Sequence, residues 1–226
     1  MKLSSPVYNR PFAYAPPQGL PPIIFNDAQL IAIDKPAGLL SVPGKTSKDS
    51  ALVRVRAVFD DALLIHRLDL ATSGVMLFPR GPKPRRHIAR QFERRYITKR
   101  YIALVAGHLE GAGEVDLPLR CDWPNRPMQR VDFEDGKPAL TRWETLGHET
   151  VSGFPATRVA LRPVTGRSHQ LRVHCRELGH PILGDRLYAP DAAFGASERL
   201  CLHAESLAFR HPEGGTETVV RAEVGF

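Results

Sequence analysis

Apolar and polar residues alternate, or nearly alternate, along much of the second half of the chain. Such alternation is typical of half-buried antiparallel strands, because successive side chains of a strand point to opposite faces of the sheet. The second half is therefore expected to be rich in β-structure. The predicted strands are Val115–Leu119, Ala139–Leu146, Ala156–Arg162 and Leu200–Phe209.

Shorter apolar segments predict the strands of the first half. The first two are expected to form a β-hairpin, since Asn26 and Asp27 between them favour a tight turn. A polar insert, His66–Gly74, separates the next two. The predicted strands are Ile23–Phe25, Leu30–Asp34, Leu63–Ile65, Val75–Phe78 and Arg100–Ala106.

Three segments have helical spacing instead. Asp49–Phe59 has Ser47 or Asp49 available as an N-cap, and Pro84–Arg95 lies in a basic stretch. Ser168–Leu178 is the clearest helix, because Gly179 follows it as a C-cap. Many strands with a few helices predict an α+β fold, with a mainly antiparallel mixed sheet as core and flanking helices and loops.

Residues 1–22 differ from the rest, since they contain six prolines without periodicity. Proline removes amide donors and disfavours helix at the preceding residue, so an extended arm is expected, with the main domain at 23–226. Cys121–Arg130 is similarly predicted to be a polar, proline-broken loop.

The composition limits the class of protein. The chain has 226 residues, 42% hydrophobic and 24% charged, which is typical of a globular protein. There is no apolar run of the ~20 residues that a membrane span needs, and no apolar signal core, so a cytoplasmic protein without membrane partners is expected. The three cysteines form no CxxC pair, which argues against a disulfide framework or a zinc ribbon.

Charge points toward a polyanionic partner. The formal net charge is +7 and the pI about 9.6. Nine lysines and arginines lie between Arg80 and Arg100, opposed only by Glu93. On a helix, several of these cations would share a face that attracts phosphates, although a merely solvated helix face is the alternative.

Most other chemistries lack their signatures. Histidines are numerous, but no HExxH motif occurs, and His169 and His174 would lie about 140° apart around a helix. Neither a GxSxG elbow nor a GxxxxGK[ST] or GxGxxG loop is present. The sequence therefore disfavours a metal site, catalysis by a serine or cysteine nucleophile, and nucleotide-dependent chemistry.

Two polar constellations remain. In His66–Gly74 a strand ends and a loop presents Arg67 and Asp69, while Thr72 and the residues after it can tighten the turn. An aspartate in such a turn is usually a local cap, so its role stays open at this point. In Thr165–His174 a polar turn leads into a helix that carries Arg172. This arginine is either an ordinary exposed residue of the helix or is held in place for a function.

The helix has two distinct sides by its spacing. One side carries His169, Arg172 and Arg176. The other side is expected to contact the core through Leu171, Cys175 and Leu178.

These residues together resemble the RluA-type pseudouridine synthases. His66–Gly74 is similar to the active-site motif of that family, and Lys99–Gly107 to its tyrosine strand. Thr165–His174, continuing to Tyr188, resembles the third motif, and Leu30–Gly38 the start of the catalytic domain. The resemblance extends from about residue 23 to the C-terminus.

The resemblance implies a pseudouridine synthase fold with the active site in a central basic cleft. It also implies an isomerisation of RNA uridine that needs neither cofactor nor metal. Asp69 is the implied catalytic carboxylate, which either attacks C1′ or removes a ribose proton. Many members carry an N-terminal S4-type domain, which the proline arm is too short to provide.

The resemblance also implies roles for further residues. Arg172 is expected to pair with Asp69, Tyr101 to pack against the flipped base, and Arg67 to fill the gap left in the RNA. The alternatives are that Tyr101 is a core residue and that Arg67 contacts a phosphate at the surface. The residues expected to shape the site are His66, Thr72 and Arg167.

RNA recognition is expected from the basic stretch and from Cys121–Arg130. The part Cys121–Pro127 resembles the branch that modifies both 23S rRNA and the tRNA anticodon stem-loop. For Arg126 and Arg130, the alternative is that they are ordinary loop arginines. These RNA-binding candidates are Arg86, Arg90, Arg94, Arg126 and Arg130.

The resulting hypothesis is a monomeric, cofactor-free RNA pseudouridine synthase. One alternative is a non-catalytic RNA-binding or RNA-folding factor on the same fold, and another is a metal-dependent hydrolase that uses the histidines. The set Asp69, Tyr101 and Arg172 favours the enzyme, because a pure binder has no need of a carboxylate facing polyanionic RNA.

Overall fold

The computed structural model describes residues 10, 13–45 and 47–226. Of the predicted arm at 1–22, residues 1–9, 11 and 12 therefore lie outside the described residues. The chain divides into two compact units. The Asp69 unit comprises Ala13–Tyr101 and His203–Phe226, and the Arg172 unit comprises Met1–Phe12 and Ile102–Leu202, where Arg10 is the described part of the first segment.

The described residues form mostly strands. In chain order they are β1 Ile23–Asn26, β2 Leu30–Lys35, β3 Ser73–Pro79, β4 Thr98–Ala106, β5 Ala112–Asp116, β6 Leu119–Cys121, β7 Gln129–Val131, β8 Leu140–Val151, β9 Phe154–Pro163, β10 Leu202–Arg210 and β11 Glu217–Arg221. The α-helices are α1 Ala51–Arg56, α2 Pro82–Glu93, α3 Gln170–Glu177 and α4 Asp191–Gly195, and Trp123–Asn125 is a 3-10 helix. None of the described helices is long and apolar enough to cross a membrane.

The central strands β2 and β3 of the sheet in the Asp69 unit are buried on both faces. The strand order in this unit is β1-β2-β3-β10, with β11 paired to β10. Leu30 on one face of β2 joins the cluster of Ile88 in α2, whereas Ile31 on the other face joins the cluster of Val55 in α1. Strands covered on both faces read as continuous apolar runs, which explains why β2 and β3 lack alternation.

β3 and β10 pair in parallel, and the pairing depends on a glycine. Ser73 lies opposite His203, and Gly74 opposite Ala204, while the pairs β1–β2, β2–β3 and β10–β11 are antiparallel. Gly74 has φ +111°, and a Cβ built there would lie 2.2 Å from the carbonyl oxygen of Ala204. A side chain at this position would therefore push the two strands apart.

We expect Gly74→Ala to lower the free energy of unfolding by about 1–3 kcal/mol, because the clash is with backbone that cannot rotate away. Urea unfolding of the variant measures the loss. Gly147→Ala in β8 is the matched control, since a Cβ there meets nothing within 4 Å. Equal stability of the two variants would contradict this explanation.

The Arg172 unit is built on an antiparallel hairpin. The strand order is β4-β9-β8-β5, and β8 pairs antiparallel with both β9 and β5. Ser152 and Gly153, both at positive φ, form the two-residue turn between β8 and β9, as hairpin twist favours. A smaller sheet pairs β6 with β7, and α3 packs beside it through Val173.

The α+β class with a mainly antiparallel sheet is confirmed, and most predicted elements are present within a few residues. The strand predicted at Leu63–Ile65 is wrong. The Leu63 N–H donates to Pro79 O, and Leu64 O accepts from the Arg85 side chain. This segment therefore makes isolated hydrogen bonds instead of the continuous backbone pairing of a strand. β11 and α4 were not predicted. Cys121–Arg130, predicted as a loop, contains strand at both ends.

Two helix starts differ from prediction. The N-cap of α1 is Ser50, whose hydroxyl accepts from Val53 N–H, while Asp49 binds the Arg54 side chain instead. α3 begins at Gln170, so His169 is not on the helix. His169 has left-handed φ 54°, and its Nδ1 is 2.7 Å from the hydroxyl of Tyr188.

Candidate active site

Asp69 lies in a tight turn directly before β3. The turn is closed by Thr72 N–H, which donates to the backbone carbonyl of Asp69 at 3.1 Å. The preceding residue, Leu68, is buried and fixed on both sides by Ser41, whose hydroxyl donates to Leu68 O at 2.7 Å and accepts from Leu68 N–H at 3.1 Å. Hydrogen bonds therefore hold the backbone that carries the Asp69 carboxylate.

A buried lysine fixes the other side of this turn. Lys35 has no exposed surface, and its Nζ donates to the carbonyls of Pro36, Leu39 and Leu70 at 2.8, 2.7 and 3.2 Å. A buried ammonium needs such acceptors, because desolvation of an unpaired charge is costly. Leu70 O also accepts from Gly38 N–H at 2.9 Å. In the sequence Lys35 is only one residue of the motif Leu30–Gly38, yet in the structure it anchors Leu70, the residue after Asp69.

Tyr101, in the part of β4 that belongs to the same unit, is brought close to Asp69. The pKa of the Tyr101 hydroxyl is raised above its ordinary value, first by burial and second by the negative charge of Asp69. Both effects disfavour the phenolate. The side chain is therefore a neutral phenol that remains partly accessible beside the carboxylate.

The other residues predicted in this loop have different environments. His66 Nε2 accepts from Leu77 N–H at 2.8 Å, and its ring lies 5.3 Å from that of Phe92. Burial, followed by the charge of Lys99, lowers the pKa of His66 to about 4, so the imidazole is neutral at neutral pH. Thr72 is buried and Arg67 is exposed. His66 thus supports β3, whereas Arg67 is available at the surface two residues before Asp69.

In the Arg172 unit, Arg172 is buried and held by a carboxylate. Its Nε and NH2 donate to the two oxygens of Asp185 at 2.8 and 2.7 Å. Burial alone would raise the pKa of Asp185, but the charge and hydrogen bonds of Arg172 hold it below its usual value. The alternative of an exposed helix arginine is wrong. The pairing of Arg172 with Asp69 stays a prediction.

The turn before α3 is fixed by Gln170. Its Oε1 accepts from Thr165 Oγ1 at 2.7 Å and from Arg167 N–H at 3.0 Å, and its Nε2 donates to Leu140 O and Thr141 Oγ1 at 3.0 Å. The Arg167 side chain is exposed and donates to a carbonyl on the same unit. This network orients the start of α3 without using a charged group.

The cationic candidates in α2 share one exposed face. Pro84, Ile88 and Gln91 are its buried residues. Arg86, Arg90 and the C-cap residue Arg94 are exposed, and their four-residue spacing places them in one stripe. Within the described part of the chain, no carboxylate forms an ion pair with these three.

The two RNA-binding candidates near β7, Arg126 and Arg130, already contact other side chains of the fold. The Arg126 guanidinium lies 4.0 Å from the ring centroid of Trp123, which is 62% exposed. Arg130 donates to Asp132 at 2.9 Å. The exposed Trp123 was not singled out from the sequence, although aromatic side chains are common stacking surfaces for unpaired bases.

The histidines considered for metal binding have partners within the fold. His174 Nδ1 lies 2.9 Å from Thr141 Oγ1, and His180 Nδ1 lies 2.7 Å from Ala106 O. Among the described residues, no group of three His, Cys, Asp or Glu side chains is placed to hold a metal ion. These two imidazoles hydrogen-bond to neighbouring strands.

Comparison with known proteins identifies relatives of this chain. The sequence matches the RNA pseudouridylate synthase family over residues 29–177. It is 53% identical over 195 residues to the dual-specificity RNA pseudouridine synthase RluA of Pasteurella multocida, covering 84% of this chain and 87% of that protein. It is 47% identical over 207 residues to the protein of that name from Escherichia coli, covering 90% and 93%.

A solved structure gives the same result. The human RNA pseudouridylate synthase domain containing 1 superposes with a TM-score of 0.79 at 27% identity, covering 92% of this chain and 86% of that one. The match thus includes fold as well as sequence. The chain belongs to the RluA-type family of RNA pseudouridine synthases.

Proposed function

We propose that this enzyme is a dual-specificity RNA pseudouridine synthase, which isomerises uridines in 23S rRNA and in the tRNA anticodon stem-loop. The relatives named as dual-specificity enzymes match along most of their length. The single structural observation that carries the proposal is Asp69, held on a turn fixed by Ser41 and Lys35, beside the neutral phenol of Tyr101.

The proposed reaction has no net loss or gain of atoms. Asp69 either attacks C1′ of the flipped uridine or removes a ribose proton. The bond between N1 and C1′ breaks, the uracil rotates, and C5 bonds to C1′. The proton on C5 then leaves and N1 gains one, so the product has the mass of the substrate.

The turn supports this role through its rigidity. A catalytic carboxylate is effective when it is held in place before the substrate arrives, because its orientation then costs nothing during the reaction. Hydrogen bonds to Leu68 and Leu70 fix the backbone on both sides of Asp69. Their donors are the Ser41 hydroxyl and the Lys35 ammonium.

Two further side chains fit the flipped nucleotide. Tyr101 offers an aromatic ring on which any base can stack. Arg67 is exposed two residues before Asp69, and its planar guanidinium can stack in the gap left by the base and also donate hydrogen bonds. Base extrusion costs a few kcal/mol, and less in a loop than in a duplex, which agrees with stem-loop substrates.

The exposed stripe of α2 is the proposed phosphate-binding surface. We expect Arg86→Glu combined with Arg90→Glu to weaken RNA binding roughly 10-fold, since counterion release falls with each lost phosphate contact. The slope of log affinity against log salt should become shallower by about 2. Filter binding of a tRNA anticodon stem-loop over a salt series measures both quantities.

Lys48→Glu combined with Arg221→Glu is the matched control. Both residues are exposed in the same unit, and the pair changes the net charge by the same amount as the α2 variant. If both double variants lost affinity equally, general charge would explain the effect. An unchanged salt slope for the α2 variant would remove α2 from the binding surface.

Substrate range is tested by incubating the purified enzyme with a tRNA anticodon stem-loop and, separately, with 23S rRNA fragments. Carbodiimide mapping locates pseudouridine in each RNA. Product on both supports dual specificity, and product on one alone limits the proposal to that RNA. Tight binding with no product on either would contradict the proposal and favour a non-catalytic RNA-binding role.

A further inference from the structure

Arg10 binds one short segment of the Arg172 unit through four acceptors. Its NH1 donates to the backbone carbonyls of Asp185 and Arg186 at 3.4 and 2.9 Å. Its NH2 donates to Ala189 O at 3.0 Å and to the Asp191 carboxylate at 2.6 Å. We call residues 185–191 the Asp185 segment.

The contact is reciprocal, and the Arg10 side chain is largely buried. Arg186 NH1 donates back to the carbonyl of Arg10 at 2.6 Å. The Arg10 guanidinium also lies 4.1 Å from the ring centroid of Phe194, and only 13% of the side chain is exposed. Charge-assisted hydrogen bonds and the contact with an aromatic ring are both stabilising, so Arg10 anchors this segment.

The Asp185 segment is also the segment that holds Arg172. The Asp185 carboxylate receives both bonds from Arg172, and its Oδ1 accepts from the N–H groups of Leu187 and Tyr188 at 2.9 and 3.2 Å. Arg10 therefore fixes the carbonyls of the same turn whose carboxylate orients Arg172. Nothing in the sequence motif predicts this link, because Arg10 precedes the segment by 175 residues.

The opposite end of the turn is already fixed by the fold. Gly184 has φ +69°, and a Cβ there would lie 1.9 Å from Arg199 O, so the chain is packed against its neighbour at that point. Tyr188 is buried, and its hydroxyl accepts from Gln129 N–H at 2.7 Å. The bonds from Arg10 to Ala189 and Asp191 secure the remaining end.

We propose that Arg10 is a positioning residue for the isomerisation, which holds the Asp185 segment so that Asp185 presents the Arg172 guanidinium in one orientation. The inference rests on the proposed function, together with the prediction from the sequence that Arg172 pairs with Asp69. It also gives a role to part of the segment before residue 13. Arg10 itself does not touch the substrate in this account.

The structural part is tested on the free enzyme, without reference to activity. In Arg10→Ala, hydrogen exchange at Leu187 and Tyr188 should become at least about 10-fold faster, while amides of β2 remain unchanged. Arg221→Ala is the control, because it removes an exposed arginine from the other unit. Unchanged exchange at these two amides would overturn the proposed anchor.

The functional part is tested by steady-state kinetics on a converted RNA. Arg10→Ala should lower kcat about 10-fold with a change in KM below about 3-fold, since misorientation of a positioned group affects the chemical step. Arg10→Lys should recover part of the loss. In the Arg172→Lys background, Arg10→Ala should reduce kcat less than about 2-fold further, because the two changes act on one guanidinium.

The same 10-fold loss in both backgrounds would show that Arg10 acts independently of Arg172, and would overturn the inference. Failure of the wild-type enzyme to convert any RNA would instead contradict the proposed function, while the exchange measurement would still decide whether Arg10 holds the Asp185 segment.

Discussion

Asp69→Asn is expected to reduce uridine conversion by at least ~10³-fold, because an amide can neither attack C1′ nor accept a ribose proton. Folding should be preserved, since asparagine has the same shape and the hydrogen bond that closes the turn uses the backbone carbonyl of residue 69. RNA affinity should change by less than about 3-fold, because losing a negative charge does not repel phosphates. Single-turnover conversion and filter binding measure the two quantities.

Asp60→Asn is the matched control for this prediction. Asp60 is exposed in the same unit and carries none of the proposed chemistry, so its loss should leave conversion within about 2-fold of wild type. An Asp69→Asn enzyme that kept a tenth of the wild-type rate would contradict an essential carboxylate at this position.

Asp185→Asn is expected to lower the free energy of unfolding by about 3–5 kcal/mol, because it leaves the buried Arg172 guanidinium without its counter-charge. Only 6% of the Arg172 side chain and none of the Asp185 side chain is exposed. Conversion should fall as well, since Arg172 loses its fixed orientation. Urea unfolding followed by circular dichroism measures the first effect.

Two comparison variants separate the buried pair from general effects. Asp135→Asn breaks an exposed ion pair with Arg120, and should cost at most about 1 kcal/mol. Adding Arg172→Met to Asp185→Asn removes the stranded charge, so the double variant should be more stable than Asp185→Asn by about 2 kcal/mol while remaining poorly active. A double variant as unstable as the single one would contradict this explanation.

The same pair predicts a dependence of stability on pH. The pKa of Asp185 is lower in the folded protein than its usual value, so the unfolded chain binds this proton more tightly. Its stabilisation is therefore complete above the unfolded pKa of about 3.9, and is lost as the pH falls through the folded value. Asp185→Asn should flatten the acid limb of the stability profile.

The sequence predicted those features that depend on local pattern. Alternation located β8 and β9, because one face of each strand is less buried than the other. The motif His66–Gly74 located the turn of Asp69, since its residues are contiguous. The left-handed residue His169 was missed because its conformation goes with a hydrogen bond to Tyr188, 19 residues further on.

Long-range partners could not be predicted in this way. Lys35 is fixed beneath the Asp69 turn by a carbonyl 35 residues away, and Arg10 binds carbonyls about 180 residues away. Such contacts follow from tertiary packing, which one sequence does not specify residue by residue. Asp185 was predicted only as part of a rigid loop, although the buried arginine opposite it required a carboxylate partner.

Release of tritium from RNA labelled at C5 of uridine tests the central claim most directly. Because C5 bonds to C1′ in the product, this hydrogen must leave, whereas the hydrogen on C6 must stay. The enzyme should release C5 tritium from an anticodon stem-loop in proportion to the pseudouridine found by nucleoside chromatography. Release from RNA labelled at C6, or release without pseudouridine, would contradict the account.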